Sequence, residues 1–108
     1  LVYVIADRRH LVVFDAARRA IVHQQDLEPS FGLTNSQQGP RVFVTTPEGD
    51  IYLLMVKGIA RFDPKSYEVS MVAESPVAIG PGGDYLDGRI YFGNGSHLYS
   101  YELPARQP

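Results

Sequence analysis

The stretch Gly49-Asp50-Ile51-Tyr52-Leu53-Leu54-Met55-Val56-Lys57-Gly58-Ile59-Ala60-Arg61-Phe62-Asp63-Pro64 decides the fold. An aliphatic–Tyr run opens it, Lys57-Gly58 interrupts it, and a second apolar run ends in Phe-Asp-Pro. Val, Ile, Tyr and Phe suit a pleated, half-buried surface, and a Gly-bearing break between two such runs signals a β-hairpin. Strands are therefore expected near 41–46, 50–56, 58–63 and 68–73. Pro64 fixes φ in the turn before the last of them.

The same pattern occurs twice more. Val2-Tyr3-Val4-Ile5 precedes Leu11-Val12-Val13-Phe14-Asp15, and Ile90-Tyr91-Phe92-Gly93 precedes Leu98-Tyr99-Ser100-Tyr101-Glu102. The tyrosines at 3, 52 and 91 are spaced near the ~40–50 residues that a four-stranded propeller blade occupies. The first interval is longer because the Ser/Gln/Gly/Pro-rich segment between Pro29 and Pro40 reads as a loop. Glu48-Gly49-Asp50, Asp87-Gly88 and Asn94-Gly95-Ser96 supply turn residues where hairpins need them. Ala16 to Leu27 has good helix propensity. Aligned on the shared Phe-Asp, however, Ile21 falls on Val69, which makes the segment a turn followed by an outer strand.

The expected fold class is all-β: a β-propeller-like array of four-stranded antiparallel blades, with about two and a half blades present. An incomplete blade is expected over 1–27 and a complete one over 41–73. A blade lacking its outer strand follows over 76–103, with strands near 77–80, 89–93 and 97–102. The chain starts at Leu1 with neither Met nor a basic leader, and is expected to be the C-terminal part of a larger propeller.

Composition narrows the function classes. Of 108 residues, 44% are hydrophobic and 20% charged, enough apolar material to offset the entropy of ordering. A formal net charge of −2 gives no basic excess for nucleic acid, so none is expected as a partner. No run approaches the ~20 apolar residues of a membrane helix. Cysteine is absent, which removes disulfides, thiolate metal sites and a Cys nucleophile together. That absence suits a bacterial cytoplasm, a periplasm or disulfide-free secretion alike.

Gly49-Asp50-Ile51-Tyr52 with Lys57 through Pro64 resembles the blade repeats of several bacterial propeller groups. These are the regulator-type propellers of sensor proteins and the streptogramin-lyase-like and gluconolactonase-like propellers. The third copy matches the same frame but loses the final Asp-Pro, and the first matches only over Asp7 to Asp15. The resemblance implies an architecture. It transfers no functional residue, because chemistry in such families sits in loops at one face of the ring.

The most site-like stretch is Gly80-Pro81-Gly82-Gly83-Asp84-Tyr85, together with Asp87 and, across the hairpin, Asn94 and His97. Oxygen ligands beside a glycine-rich backbone would suit Ca²⁺, although the same residues serve ordinary turns and the spacing is not that of an EF-hand. Tyr85 is placed to stack on a sugar if it stands at the ring face. His10 and His97 both precede a second hairpin strand, which puts them toward the same ring edge. A His site normally needs an oriented partner, and solvated hairpin histidines are the commoner case. Arg8-Arg9-His10 and Arg18-Arg19 read as solvated hairpin charges.

The expected function is a non-catalytic binding or scaffold portion of a larger protein, presenting loops to a ligand, glycan or protein partner. The alternative is part of a propeller enzyme, a carbohydrate-active, metal-dependent lyase or hydrolase whose active site lies mostly on other blades. The first is favoured because no catalytic constellation assembles from these residue types. The remaining blades of the parent chain, or self-association to close a ring, are the expected partners.

Overall fold

A computed structural model describes residues 1–35, 42–80 and 82–103. Among these residues, ten strands form three antiparallel sheets. The first sheet holds β1 (Val2–Ala6), β2 (His10–Asp15) and β3 (Ala20–Asp26), in that order. The second holds β4 (Phe43–Thr45), β5 (Ile51–Met55), β6 (Gly58–Phe62) and β7 (Val69–Glu74). The third holds β8 (Gly83–Leu86), β9 (Arg89–Asn94) and β10 (His97–Glu102). A one-turn helix, α1 (Glu28–Phe31), follows β3 in the segment expected to be loop, with a proline in its first turn. Proline is tolerated there because the N–H it lacks would have no helical partner anyway. No helix among the described residues is long and apolar enough to cross a membrane.

The second sheet lies between the other two. Leu53, Met55, Ala60 and Phe62 share one core with Ile5, Leu11 and Val13 of the first sheet. Val44, Tyr52, Leu54 and Ile59 share the other with Ile90 and Phe92 of the third. This explains why β5 is a continuous apolar run. Side chains alternate between faces along a strand, so a sheet covered on both faces needs apolar residues at every position. All five residues of β5 are buried. In β1, by contrast, Val2, Val4 and Ala6 are exposed while Tyr3 and Ile5 face inward.

Corresponding positions pair alike in all three sheets. Tyr3 stands opposite Val13, Tyr52 opposite Arg61 and Tyr91 opposite Ser100. Val2 faces Phe14, Ile51 faces Phe62 and Ile90 faces Tyr101. The turns after the Phe-Asp pairs also match. The Asp15 carboxylate accepts from the Ala17 and Arg18 N–H groups, and the Asp63 carboxylate from that of Lys65. Arg19 and Tyr67, each four residues beyond its Asp, have φ of 54° and 63°. Local side-chain bonding of this kind competes with helix, which is why the Ala-Ala-Arg-Arg segment turns and enters β3. Ile21 pairs with Phe14 as Val69 pairs with Phe62.

One expected strand lies elsewhere. The first strand of the third sheet is Gly83–Leu86, not 77–80. Leu86 pairs with Arg89 across Asp87 and Gly88, whose φ values of 50° and 84° form the two-residue turn favoured by Asp-Gly. Such a turn requires the strand directly before it. Ile79 instead anchors the connection between sheets: its side chain is buried and its N–H donates to the Val56 carbonyl at 3.1 Å.

Candidate functional site

The hairpin turns 7–9 and 56–57 and the end of β9 at Gly93, just before the turn 95–96, are tied down by the segments that connect the sheets. The Leu27 N–H donates to the Arg9 carbonyl at 2.7 Å, and that of Thr34 to the Arg8 carbonyl at 2.8 Å. The Val56 N–H donates to the Leu33 carbonyl at 2.8 Å, and that of Gly80 to the Gly93 carbonyl at 2.7 Å. Asn35 adds a side-chain bond to the Ile79 carbonyl at 3.1 Å. Backbone that would otherwise be loop is thereby satisfied and held in place.

Arg8 and Arg9 belong to this network. The Arg8 Nε donates to the Thr34 carbonyl at 2.7 Å, so this residue bonds Thr34 through both backbone and side chain. Arg9 pairs with the Asp26 carboxylate and, at 3.0 Å, with Glu28 Oε1. The Arg9 guanidinium, and after it the Glu28 backbone N–H, hold the Asp26 carboxyl below its ordinary range. Beside these residues lies a cleft of about 340 Å³ lined by Arg8, Glu28, Gly32, Leu33, Val56 and Lys57. Its lining is largely apolar and carries both cations, Arg8 and Lys57, and an anion, Glu28, so it presents hydrogen-bonding groups of either sign beside an apolar wall. Reading Arg8 and Arg9 as solvated charges missed these roles. The only sequence signal was a pair of arginines in a hairpin turn, and their acceptors lie in a segment whose path the sequence does not reveal.

The structure separates the site residues expected from sequence. Asn94 and His97 pair across the Gly95-Ser96 turn. Asp87 lies in the turn at the opposite end of β9, and Asp84 pairs with Tyr91 midway along that strand. At ~3.4 Å per residue the six residues of β9 put the Asp87 turn and Asn94 far outside one coordination sphere. Asp84 Oδ1 accepts from the Tyr85 N–H at 2.8 Å. Tyr85 packs against the core shared by the second and third sheets. Among the described residues no three His, Asp or Glu side chains group as metal ligands.

His10 and His97 open β2 and β10 beside turns of the same end, but in sheets separated by the second one. His10 lies 3.2 Å from Gln24 Oε1, and the His97 ring lies 6.2 Å from that of Tyr99. His23 stacks on Tyr67 with ring centroids 5.3 Å apart, which makes it a packing residue between the first two sheets. Comparison with protein-family models, with curated proteins and with solved structures finds no match to this chain.

Proposed function

We propose that the chain is a section of a β-propeller-like array and serves as a binding or scaffold module. Its turn-bearing end, with Arg8, Lys57, Asn94 and His97, faces a ligand, glycan or protein partner. The remaining blades of the array pack on its first sheet.

One correspondence carries this reading. Ile51, Phe62 and Val69 form the cross-strand row by which the second sheet packs on the first. Val2, Phe14 and Ile21 form the same row of the first sheet, on its outward face. No described sheet covers that face, and Val2, Val4 and Ile21 are 47%, 43% and 54% exposed. A contiguous apolar sheet face is a surface for packing, and its match to a packed row supports the reading that a further sheet of the same frame covers it. The cleft beside Arg8 and Lys57 at the turn-bearing end supports the binding reading.

Light scattering on the isolated 108-residue chain tests the array. Self-association is expected, abolished by replacing Val2 and Ile21 with lysine. A cooperatively folding monomer of 12.0 kDa that binds no hydrophobic dye would overturn it.

A further inference from the structure

The charged groups around the cleft beside Arg8 are unequally engaged. Glu28 Oε1 is held by an Arg9 Nη at 3.0 Å, and Arg9 also holds the Asp26 carboxylate. Among the described residues Arg9, Arg18 and Arg61 have carboxylate partners, whereas the Lys57 ammonium and the terminal nitrogens of Arg8 have none. Arg8 is nevertheless fixed, because its Nε donates to the Thr34 carbonyl at 2.7 Å. Lys57 is steered by Gly32. A Cβ there would lie 3.2 Å from Lys57 Cδ and 3.3 Å from Cε, so the lysine stem lies across the bare Cα. Long cationic side chains rest their stems on the protein in this way and keep the charged head in water. Half-buried Leu33 and Val56 complete the cleft with an apolar wall.

We infer that this cleft binds a free α-amino acid with an aliphatic side chain, for which leucine is the representative. The inference rests on the binding reading above and names the ligand. The carboxylate meets the Arg8 terminal nitrogens and the Lys57 ammonium, as charge-assisted hydrogen bonds. The α-ammonium meets the Glu28 carboxylate, which Arg9 already orients. The side chain covers Leu33 and Val56 and removes apolar surface from water. Either charge alone fits less well: a fatty carboxylate sets its tail against Glu28, and a simple amine leaves both cations unmatched. At about 340 Å³ the cleft stands at the small end of the ~300–1,000 Å³ range of ligand pockets, which suits a molecule of this size.

Equilibrium dialysis of the 108-residue chain against radiolabelled L-leucine tests this, whether or not the chain self-associates. Saturable binding in the millimolar range or tighter is expected, and glycine, which lacks the apolar side chain, should compete less well. Leucinamide and N-acetyl-leucine should each compete about two- to fivefold less well than leucine, the size of one exposed ion pair. Each loss should trace to its own residue. Lys57→Met should weaken leucine by a similar factor and leave leucinamide unchanged, and Glu28→Gln should weaken leucine and leave N-acetyl-leucine unchanged. Both positions are exposed, so circular dichroism should not change. Absence of saturable binding, or binding indifferent to both substitutions, would overturn the inference. So would a derivative that competes as well as leucine, since a peptide terminus would then be the occupant. The array reading stands or falls on light scattering instead, so the two failures are told apart.

Discussion

The rings of Tyr3 and Phe62 meet edge to face between the first two sheets, with centroids 5.5 Å apart and planes at 70°. Phe62 is 1% exposed and also stacks near Tyr67. Truncation at such a site removes transfer energy and leaves a cavity. Phe62→Ala should therefore cost about 3–5 kcal/mol in urea denaturation, and Phe62→Leu distinctly less. Equal losses for the two would mean that the ring packing contributes little.

Gly58 opens β6 where β7 crosses closely. A Cβ added there would lie 2.1 Å from the Ala73 carbonyl oxygen and 2.9 Å from Glu74 Cα. Both are backbone atoms and cannot swing aside. Gly58→Ala should lower stability by about 1–3 kcal/mol, whereas Lys57→Ala next to it should stay within ~0.5 kcal/mol. Thermal melts of the two variants make the comparison.

Asp7 and Arg8 have φ of 53° and 61° in a turn closed by the Arg9 N–H and the Ala6 carbonyl. Both positions favour glycine, but only Arg8 carries a bond to Thr34. Asp7→Gly should stabilise the chain by up to about 1 kcal/mol. Arg8→Gly should destabilise it, since a charged hydrogen bond contributes about 1.5–3 kcal/mol. Two stabilising outcomes would remove Arg8 from the network.

Asp26 and Asp63 both titrate below their ordinary range in the folded chain. The Arg9 guanidinium is the first cause at Asp26, and the Lys65 backbone N–H at Asp63. A carboxylate depressed in this way stabilises the fold above its unfolded value of about 3.9, and that contribution is lost as pH falls through the folded value. Stability should be level between pH 5 and 7 on this account and decline below about pH 4. Replacing both residues with asparagine should flatten that decline in melts taken as a function of pH.

Calcium should leave the melting temperature unchanged, because Asp87 lies at the far end of β9 from Asn94. Binding at 100 times the dissociation constant would add about 2.7 kcal/mol, which calorimetry resolves easily. Such a shift at millimolar Ca²⁺ would require ligands from another arrangement.

The local frame of the fold was legible because it is written in local chemistry. The Tyr-bearing hairpins and the Phe-Asp turns fix their own register, and aligning Ile21 with Val69 overrode the helix propensity of residues 16–27 correctly. The strand at 83–86 was missed because the apolar Val77-Ala78-Ile79 looked more like a strand than Gly83-Asp84-Tyr85-Leu86 does. Ile79 is apolar for another reason, as the plug of a connection. The candidate site was least legible. Arg8 with Thr34 and Arg9 with Asp26 are contacts between distant segments, and no periodicity or spacing encodes them.

The second sheet, covered on both faces, imposes an order on how the molecule comes apart. Either end sheet can loosen by parting a single core, whereas β5 keeps one face covered until both cores have separated. Local openings then draw on the ends, and the Ile51–Met55 amides exchange with solvent only through global unfolding. The run of residues from which the fold was read is thus also the last part of the chain to lose it.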